Sequence, residues 1–210
     1  MKKALTIGEL LVTMAIIGVI AVLVLPSFLK DYHNKLYVMR LKKVYEMVEI
    51  AINQACIDNN VSYFYQTPYG QFVSGGKNQQ AFVDKYFKKA HSTGINPFPA
   101  TYKNLSGSAT TSPSGLVNSG WAKLQGGEAI HFFCQYDISR CVIRVDINST
   151  NGPNIMGRDF FTIAVDTHTN KLGGIYNSAG NTYDPAKCGS DNYGYGCLEK
   201  IIEDNWEMKY

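Results

Sequence analysis

The chain has 210 residues, of which 45% are hydrophobic and 18% charged, and its formal net charge is +3 at pH 7. This composition is ordinary for a folded protein and argues against global disorder. The charge is small and no basic stripe follows the N-terminal third, so nothing indicates specific nucleic-acid binding. The 14 Tyr and 19 Gly favour turn-rich β structure over a helical bundle.

The N-terminal segment is apolar enough to cross a membrane. Residues 10–29 carry no charge, and a helix of about 20 residues spans the roughly 30 Å of a bilayer's hydrocarbon. A cleaved secretory signal peptide needs small residues near the end of the run, where this chain reads VLVLPSF. An ordinary membrane anchor explains the length of the run but not the carboxylate of Glu9.

The stretch ALTIGELLVTMAIIGVIAVLVLP resembles the N-terminal processing signal of type IV pilins and type II secretion pseudopilins. The matching features are a short basic leader, a small residue at the cut, Thr6, Glu9 and a long apolar helix. The resemblance implies a leader at residues 1–4, cleavage by a prepilin peptidase between Ala4 and Leu5, and methylation of the new amine. Ala4 stands where the family usually has Gly, and Leu5 where Phe is common.

Three residues of this span are candidates for a role in assembly. A lone carboxylate such as Glu9 costs about 2.5–3.5 kcal/mol at the centre of a membrane helix and less near its edge. We expect Glu9 to pair with the new amine of a neighbouring subunit, where a low dielectric strengthens the attraction; the alternative is that it reaches the membrane interface. Gly18 and Pro26 lower helix propensity. The resemblance implies that the helix melts locally at these residues in filaments; the alternative is a passive kink at the membrane surface.

Residues 30–57 are predicted to continue the helix as the spine of a globular domain. Apolar residues recur at helical spacing on one face, which is predicted to pack on a sheet. They are Tyr37, Leu41, Val44, Val48, Ala51 or Ile52, and Ala55. The polar run Asp58, Asn59 and Asn60 is predicted to end the helix.

The rest of the chain predicts a short helix, a loop and then strands. Residues 78–91 have helical spacing, and residues 92–120 are rich in loop-forming residues. Strands are predicted in EAIHFFCQ, CVIRVDIN and DFFTIAVD, with KLGGIY as a fourth candidate, YDISR as a hairpin turn and a short helix in CLEKIIEDNWEMKY. In CVIRVDIN, the side chains of Val142, Arg144 and Asp146 are predicted to share one face.

This order predicts an α+β fold, in which one long N-terminal helix packs on a C-terminal antiparallel sheet with irregular loops. It matches the pilin-like fold that the resemblance implies. The predicted organisation is a leader at 1–4, a transmembrane or filament-core helix at 5–29 and a globular domain at 30–210.

Four of the five cysteines form two closely spaced pairs, Cys134 with Cys141 and Cys188 with Cys197. Neither pair has the C-x-x-C spacing of a zinc knuckle or a thioredoxin site. Short loops closed by cysteines are typical of disulfides in an oxidising compartment, so we predict both bonds, with free buried thiols as the alternative. Cys56 is left over from these two pairs and is either free or paired in a different way.

The segment VDINSTNGPNIMGRDFF concentrates side-chain oxygens. They belong to Asp146, Asn148, Asn151, Asn154 and Asp159. Calcium takes about six to eight oxygen ligands, but the segment lacks the distal glutamate of an EF-hand. Asn and Asp also build turns without an ion. We favour a structural turn, with calcium as the alternative; some pseudopilins carry calcium in a loop near the C-terminus.

No motif predicts catalysis. The histidines at 33, 91, 131 and 168 are scattered, and the sequence contains no P-loop, G-x-S-x-G or H-E-x-x-H. We therefore expect no enzyme and no cofactor other than calcium.

The resemblance implies a structural subunit of a type IV pilus or a type II secretion system. It would be anchored once in the inner membrane, with its globular part in the periplasm, and then packed with homologous subunits into a pilus or pseudopilus. Its other partners would be membrane lipid, the prepilin peptidase, an assembly ATPase and an inner-membrane platform protein. Two alternatives are a pilus-displayed binding module for adhesion or DNA uptake, which an exposed aromatic or basic patch would favour, and an anchored periplasmic domain that never polymerises.

Overall fold

The structure, a computed structural model, describes residues 6–72, 76–90, 96–111, 119–134, 140–173, 184–189 and 194–210. Within these residues the helices are α1 (Ile7–Asp58), α2 (Lys77–Tyr86) and α3 (Cys197–Glu203). The strands are β1 (Thr101–Lys103), β2 (Ala109–Thr111), β3 (Gly120–Lys123), β4 (Ala129–Cys134), β5 (Arg140–Asp146), β6 (Phe160–Asp166) and β7 (Leu172–Gly173). Short 3-10 turns lie at Phe64–Gln66 and Pro185–Lys187.

The chain divides into two compact units, Met1–Leu36 and Tyr37–Tyr210. In the first unit, α1 exposes its large apolar side chains from Ile7 to Leu29. Among the described residues, α1 is the helix that is long and apolar enough to cross a membrane. It passes Gly18 and Pro26 without a break in its helical assignment, so melting at these residues stays a prediction about an assembled state.

The second unit is built on a five-stranded antiparallel sheet in the order β3-β4-β5-β6-β7. Because neighbours in the sheet are also neighbours in sequence, the sheet is a meander. Ile143 of β5 pairs with Phe132 of β4 on one side and with Ile163 of β6 on the other. All three side chains are buried in the main core, which fixes the register of the sheet.

The main core lies between the second half of α1 and one face of this sheet. Leu41, Val44 and Val48 of α1 are fully buried and belong to the same cluster as the inward side chains of the central strands. The Tyr45 hydroxyl donates a hydrogen bond to the Leu172 carbonyl of β7 at 3.1 Å, which ties α1 to the sheet edge. The chain therefore has the predicted α+β layout of one helix on an antiparallel sheet.

The opposite face of the sheet, here called the distal face, carries a second, smaller core. It contains Phe98, Tyr102, Ala129, Met156 and Phe160. The alternation predicted for β5 is confirmed, because Ile143, Val145 and Ile147 all belong to the main core. Val142, Arg144 and Asp146 therefore lie on the distal face.

The prediction of a loop over residues 92–120 is wrong within the described part of that range. It contains β1 and β2, which pair as a separate two-stranded antiparallel sheet, and it includes the first residue of β3. The strands β1 and β2 have three residues each, too few to show period-2 alternation. Bonds to a distant segment hold them: the Lys103 amide donates to the Asn154 carbonyl at 2.9 Å, and the Met156 amide donates to the Lys103 carbonyl at 2.8 Å.

The second helix is shorter than predicted. It ends at Tyr86 because Phe87 is extended, with φ −116° and ψ 136°. The next residues leave the helix to pair with the end of β3, where the Ala90 amide donates to the Lys123 carbonyl at 2.8 Å. A Cβ at Gly120 would overlap the backbone of Gln79, so glycine allows α2 to approach β3 closely.

Several predicted segments can be compared with the structure only in part. The C-terminal helix is present as α3, and β7 covers Leu172–Gly173 of the fourth strand candidate. Residues 174–176 of that candidate, the turn residues 136–139 and His91 lie outside the described residues.

Candidate functional site

The start of α1 is closed by hydrogen bonds between Thr6 and Glu9. The Thr6 amide and hydroxyl both donate to Glu9 Oε2 at 2.9 Å, and the Glu9 amide donates to Thr6 Oγ1 at 3.3 Å. This is a capping box, in which the side chains three residues apart satisfy backbone donors that the first helical turn leaves unpaired. Glu9 therefore has a partner inside its own chain. The predicted cleavage residues Ala4 and Leu5 lie outside the described residues.

The T-x-x-E spacing of a capping box was visible in the sequence, and the sequence interpretation missed it. Both explanations of Glu9 use the same carboxylate, but they need different properties of it. A cap needs hydrogen-bond acceptors at the helix start, which a neutral amide also provides. Pairing with an amine needs the negative charge.

The apolar segment after Glu9 offers a wide packing surface. None of its most apolar window is buried within the chain. An added Cβ at Gly18 would meet nothing within 4 Å, so nothing in a single copy requires glycine at that position.

The second half of α1 has a similar uncovered surface on the side away from the core. Met39, Ile50 and Ile57 are 64%, 67% and 69% exposed. At about 100° per residue these three side chains lie within about 20° of one line along the helix, and the buried Val48 lies opposite them. We call these three residues the outer stripe. The exposed Glu46 lies within about 20° of the same line, between Met39 and Ile50, so the outer stripe is part of a mixed apolar and charged surface.

Charges along this half of α1 are separated by sign. Residues 32–45 contain no acid, and residues 44–58 contain no base. The bases are Lys35, Arg40, Lys42 and Lys43, and the acids are Glu46, Glu49 and Asp58. Asp58 is paired with Lys85 of α2 at 2.8 Å. A base that precedes an acid by four residues, as Lys42 precedes Glu46, is the less favourable order within one helix. The stability of the isolated helix therefore does not explain this order.

Both predicted disulfides are present in the structure. Cys134 and Cys141 face each other across β4 and β5 and are bonded, and Cys188 is bonded to Cys197 at the start of α3. Cys56 is a free, buried thiol whose pKa is raised by burial. The first bond closes the hairpin, and the second fixes α3 to the preceding loop.

The oxygen-rich segment forms a turn around two buried carboxylates. Asp146 Oδ2 accepts the Tyr102 hydroxyl at 2.6 Å, and Asp159 accepts the backbone amides of Asn154 and Ile155. Burial raises the pKa of Asp146 to about 7, with a further rise from the charge of Asp159 and an opposing effect of the Tyr102 hydroxyl. These bonds tie the turn to Tyr102 of β1 and to its own backbone.

Calcium has two further oxygens available at this turn. Asn148 Oδ1 and Asn154 Oδ1 are buried and have no hydrogen-bond partner within the part of the chain that the structure describes, while Asn151 is exposed. Unpaired acceptors beside two carboxylates are chemically suited to a hard cation. Across the described ranges, however, no group of three His, Cys, Asp or Glu side chains could hold a metal ion. Calcium stays an alternative to the structural turn.

A row of aromatic rings, exposed at Tyr63 and His168 and half-buried at Tyr65, lies just after α1, and the sequence interpretation did not identify it. The rings of Tyr63 and Tyr65 stack at 6.2 Å between centroids, and those of Tyr65 and His168 at 4.1 Å. The Tyr65 amide donates to the Thr167 carbonyl at 3.1 Å, which brings the distant segments together. Because the row depends on this pairing, spacing in the sequence could not reveal it. We call these three residues the aromatic row.

No family model matches the chain, and searches of curated proteins and of solved structures found no match.

Proposed function

We propose that the chain is a subunit of the type IV pilin and pseudopilin family, which a prepilin peptidase cuts between Ala4 and Leu5 and methylates at the new amine. The mature subunit stands in the inner membrane with its globular part in the periplasm. An assembly ATPase and a platform protein then add it to a type IV pilus or a type II secretion pseudopilus. It performs no chemistry of its own.

One observation carries this proposal: α1 begins with a carboxylate, continues through an uncovered apolar span and then packs one face on a sheet. An anchor alone needs the span but not the carboxylate at its start. A soluble core helix would have its apolar window buried, and here none of that window is buried.

The outer stripe and the charge order of α1 support lateral packing of subunits. Met39, Ile50 and Ile57 leave apolar surface in water in a single copy. Anchoring in one membrane makes neighbouring helices parallel. If one helix is shifted along the other by about two turns, or roughly 10 Å, Glu49 of one copy faces Lys42 of the next. The same shift places Ile57 beside Ile50.

Mass spectrometry of the protein from its native host tests the processing step. We expect a chain that begins at Leu5 with a methylated amine. A mature chain that retains Met1 to Ala4, or that lacks the whole apolar segment, would overturn the proposal.

Three substitutions separate the two explanations of Glu9. Glu9→Gln keeps the hydrogen bonds of the capping box but removes the charge, so we expect it to block incorporation into filaments as fully as Glu9→Ala. Thr6→Val removes the cap but leaves the charge, so its effect should be smaller. The readout is the amount of subunit in sheared filaments relative to its amount in membranes. Normal incorporation of Glu9→Gln would show that the charge is not required.

The aromatic row supports a second candidate function, a binding module displayed on a pilus. Exposed rings are a platform on which unpaired bases can stack, at about 1–3 kcal/mol per base. If the row binds single-stranded DNA, Tyr63→Ala should weaken binding in fluorescence anisotropy and leave filament incorporation unchanged. An absence of binding by the wild-type protein would remove the DNA-binding form of this candidate.

The calcium alternative has a direct test in thermal unfolding. Because both carboxylates of the turn already accept hydrogen bonds, we expect millimolar calcium to leave the melting temperature unchanged relative to EDTA. A rise that Asp159→Asn abolishes would establish a calcium site at this turn.

A further inference from the structure

His131 occupies a buried position on the distal face of the sheet. It is 2% exposed and lies in the middle of β4, paired with Trp121 of β3 and Arg144 of β5. The ring of Phe133 lies 5.3 Å from its ring, and the ring of Phe98 meets it edge-on at 6.3 Å. Its surroundings are therefore mostly aromatic.

Among the described residues, neither nitrogen of the His131 ring has a hydrogen-bond partner. Buried polar groups are normally paired, so an unpaired imidazole in a core needs an explanation. A phenylalanine could fill such a position without an unpaired nitrogen. The guanidinium of Arg144 is on the directly opposite residue, so a proton on His131 would place two positive charges side by side in an apolar site.

The segment packed against His131, residues 96–104, is here called the cover, and its Phe98 and Tyr102 belong to the small core of the distal face. Phe98 of the cover contacts the His131 ring, and the Tyr102 hydroxyl donates to Asp146. The Ser149 hydroxyl donates to the Pro97 carbonyl at 2.6 Å. Two backbone bonds join Lys103 to residues 154 and 156.

We propose that His131 is an acid-sensitive latch, because a proton on its ring is compatible only with release of the cover from the distal face. In the closed state the ring must stay neutral, since no acceptor from the described residues meets it and Arg144 repels the added charge. Once the cover lifts, water solvates the ring and the proton is accepted. The proposal holds whether or not the chain polymerises.

The charged and titratable groups around His131 also favour a neutral ring in the closed state. Burial and the charge of Arg144 lower the pKa of His131 to about 3. Arg144 is the charged group that acts on it among the described residues, and Trp121, Phe133 and Phe98 carry no charge. On the same face, Asp146 has a raised pKa and therefore responds to pH in the opposite direction. The test must cancel that second effect.

Hydrogen exchange of the full-length protein in detergent micelles measures opening of the cover directly. The reporters are the backbone amides of Lys103 and Met156, which bond across the cover. An exposed imidazole has a pKa near 6.5, so protonation favours the open state by about 30-fold between pH 7.5 and pH 5. Relative to His131→Phe, the wild type should lose about 30-fold in protection of these amides over that range. The comparison cancels the contribution of Asp146, which both proteins contain.

Two controls make the result specific. Amides of β5 and β6 report opening of the main core and should change much less than those of the cover. His168→Gln alters an exposed histidine and should behave as the wild type does. The same pH response in His131→Phe, or an equal loss of protection throughout the sheet, would overturn the latch.

A measurement without substitution covers the case in which His131→Phe fails to fold. Nitrogen chemical shifts of a selectively labelled wild-type protein report whether the ring is charged. We expect the folded protein to keep His131 neutral at pH 5. A charged ring in the closed state would refute the proposal.

Discussion

Asp146 and His131 are buried on the same face of the sheet and respond to pH in opposite directions. The pKa of Asp146 is raised to about 7. Between about pH 4 and pH 7, the folded protein therefore holds a proton on this carboxyl group that the unfolded chain has lost. Its contribution to the free energy of unfolding therefore falls as pH rises from about 4 to about 7. The pKa of His131 is lowered to about 3, so its contribution falls as pH drops below about 6.5.

Substituting either residue should expose the effect of the other. Relative to the wild type, the free energy of unfolding of His131→Phe should fall as pH rises from about 4 to 6.5, by up to about 1.4 kcal/mol per pH unit. Relative to the wild type, the free energy of unfolding of Asp146→Asn should rise with pH over the same range. In this variant Asp146 no longer offsets the destabilisation that His131 causes at acidic pH. Urea unfolding at several pH values measures both slopes. Differences of the same sign for the two variants would contradict the assignment.

At the scale of residues, the sequence indicates hydrogen bonds between nearby residues better than it indicates which side chains are buried. The capping box of Thr6 and Glu9 follows from a spacing of three within one helical turn. The sequence also places Asp146 on the face shared with Arg144. It gave no sign that His131 is buried, because burial depends on the Phe98 segment, which reaches the sheet from elsewhere in the chain.

At the scale of elements, α1 has one face in the core and one face uncovered, and two isoleucines separate their roles. Ile52 is 1% exposed and Ile50 is 67% exposed. Ile52→Ala removes buried methyl and methylene groups and should lower the free energy of unfolding by about 2–5 kcal/mol. Ile50→Ala should change it by no more than about 0.5 kcal/mol. Urea unfolding in detergent measures both.

The same pair tests the packing surface. If the outer stripe contacts neighbouring subunits, Ile50→Ala should reduce incorporation into filaments although the subunit stays folded. Full incorporation of Ile50→Ala would remove the outer stripe from the proposed packing surface.

The structure assigns every cysteine to a disulfide or to a free thiol, and the number of reactive thiols can be measured. With two disulfides and a buried Cys56, the native protein should show no reactive thiol. Denaturation alone should expose one thiol, and denaturation with reduction should expose all five. Alkylation followed by mass spectrometry gives these numbers. Labelling of Cys134 or Cys188 without reduction would contradict the bonds.

Elements with strong periodicity were predictable, and short paired strands were not. The helix α1 and the strands β4, β5 and β6 have enough residues to show their own period. The strands β1 and β2 have three residues each and are fixed by pairing with each other and with residues 154–156. Such pairings are decided by contacts between distant segments.

At the scale of the whole molecule, one apolar segment is long and apolar enough to cross a membrane. The span from Leu10 to Leu29 is uncharged, so the full-length protein should stay in membranes after carbonate extraction. Val19→Arg places a charge in the middle of the span, at a cost of about 2.5–3.5 kcal/mol, and should lower the extraction-resistant fraction. Val19→Leu is the matched control and should behave as the wild type does. Equal retention of Val19→Arg would argue against a single membrane-spanning helix.

The sequence by itself determined the apolar N-terminal helix, its amphipathic continuation, the alternation in β5 and the α+β order, because each depends on the spacing of side chains along one element. Only the tertiary structure decided that Phe98 and Tyr102 pack on the distal face, that His131 is buried without a hydrogen-bond partner among the described residues, and that Tyr63, Tyr65 and His168 form one row. Each of these features joins segments that are far apart in the chain. Their contacts depend on the register of the sheet and the packing around it, which no local pattern records.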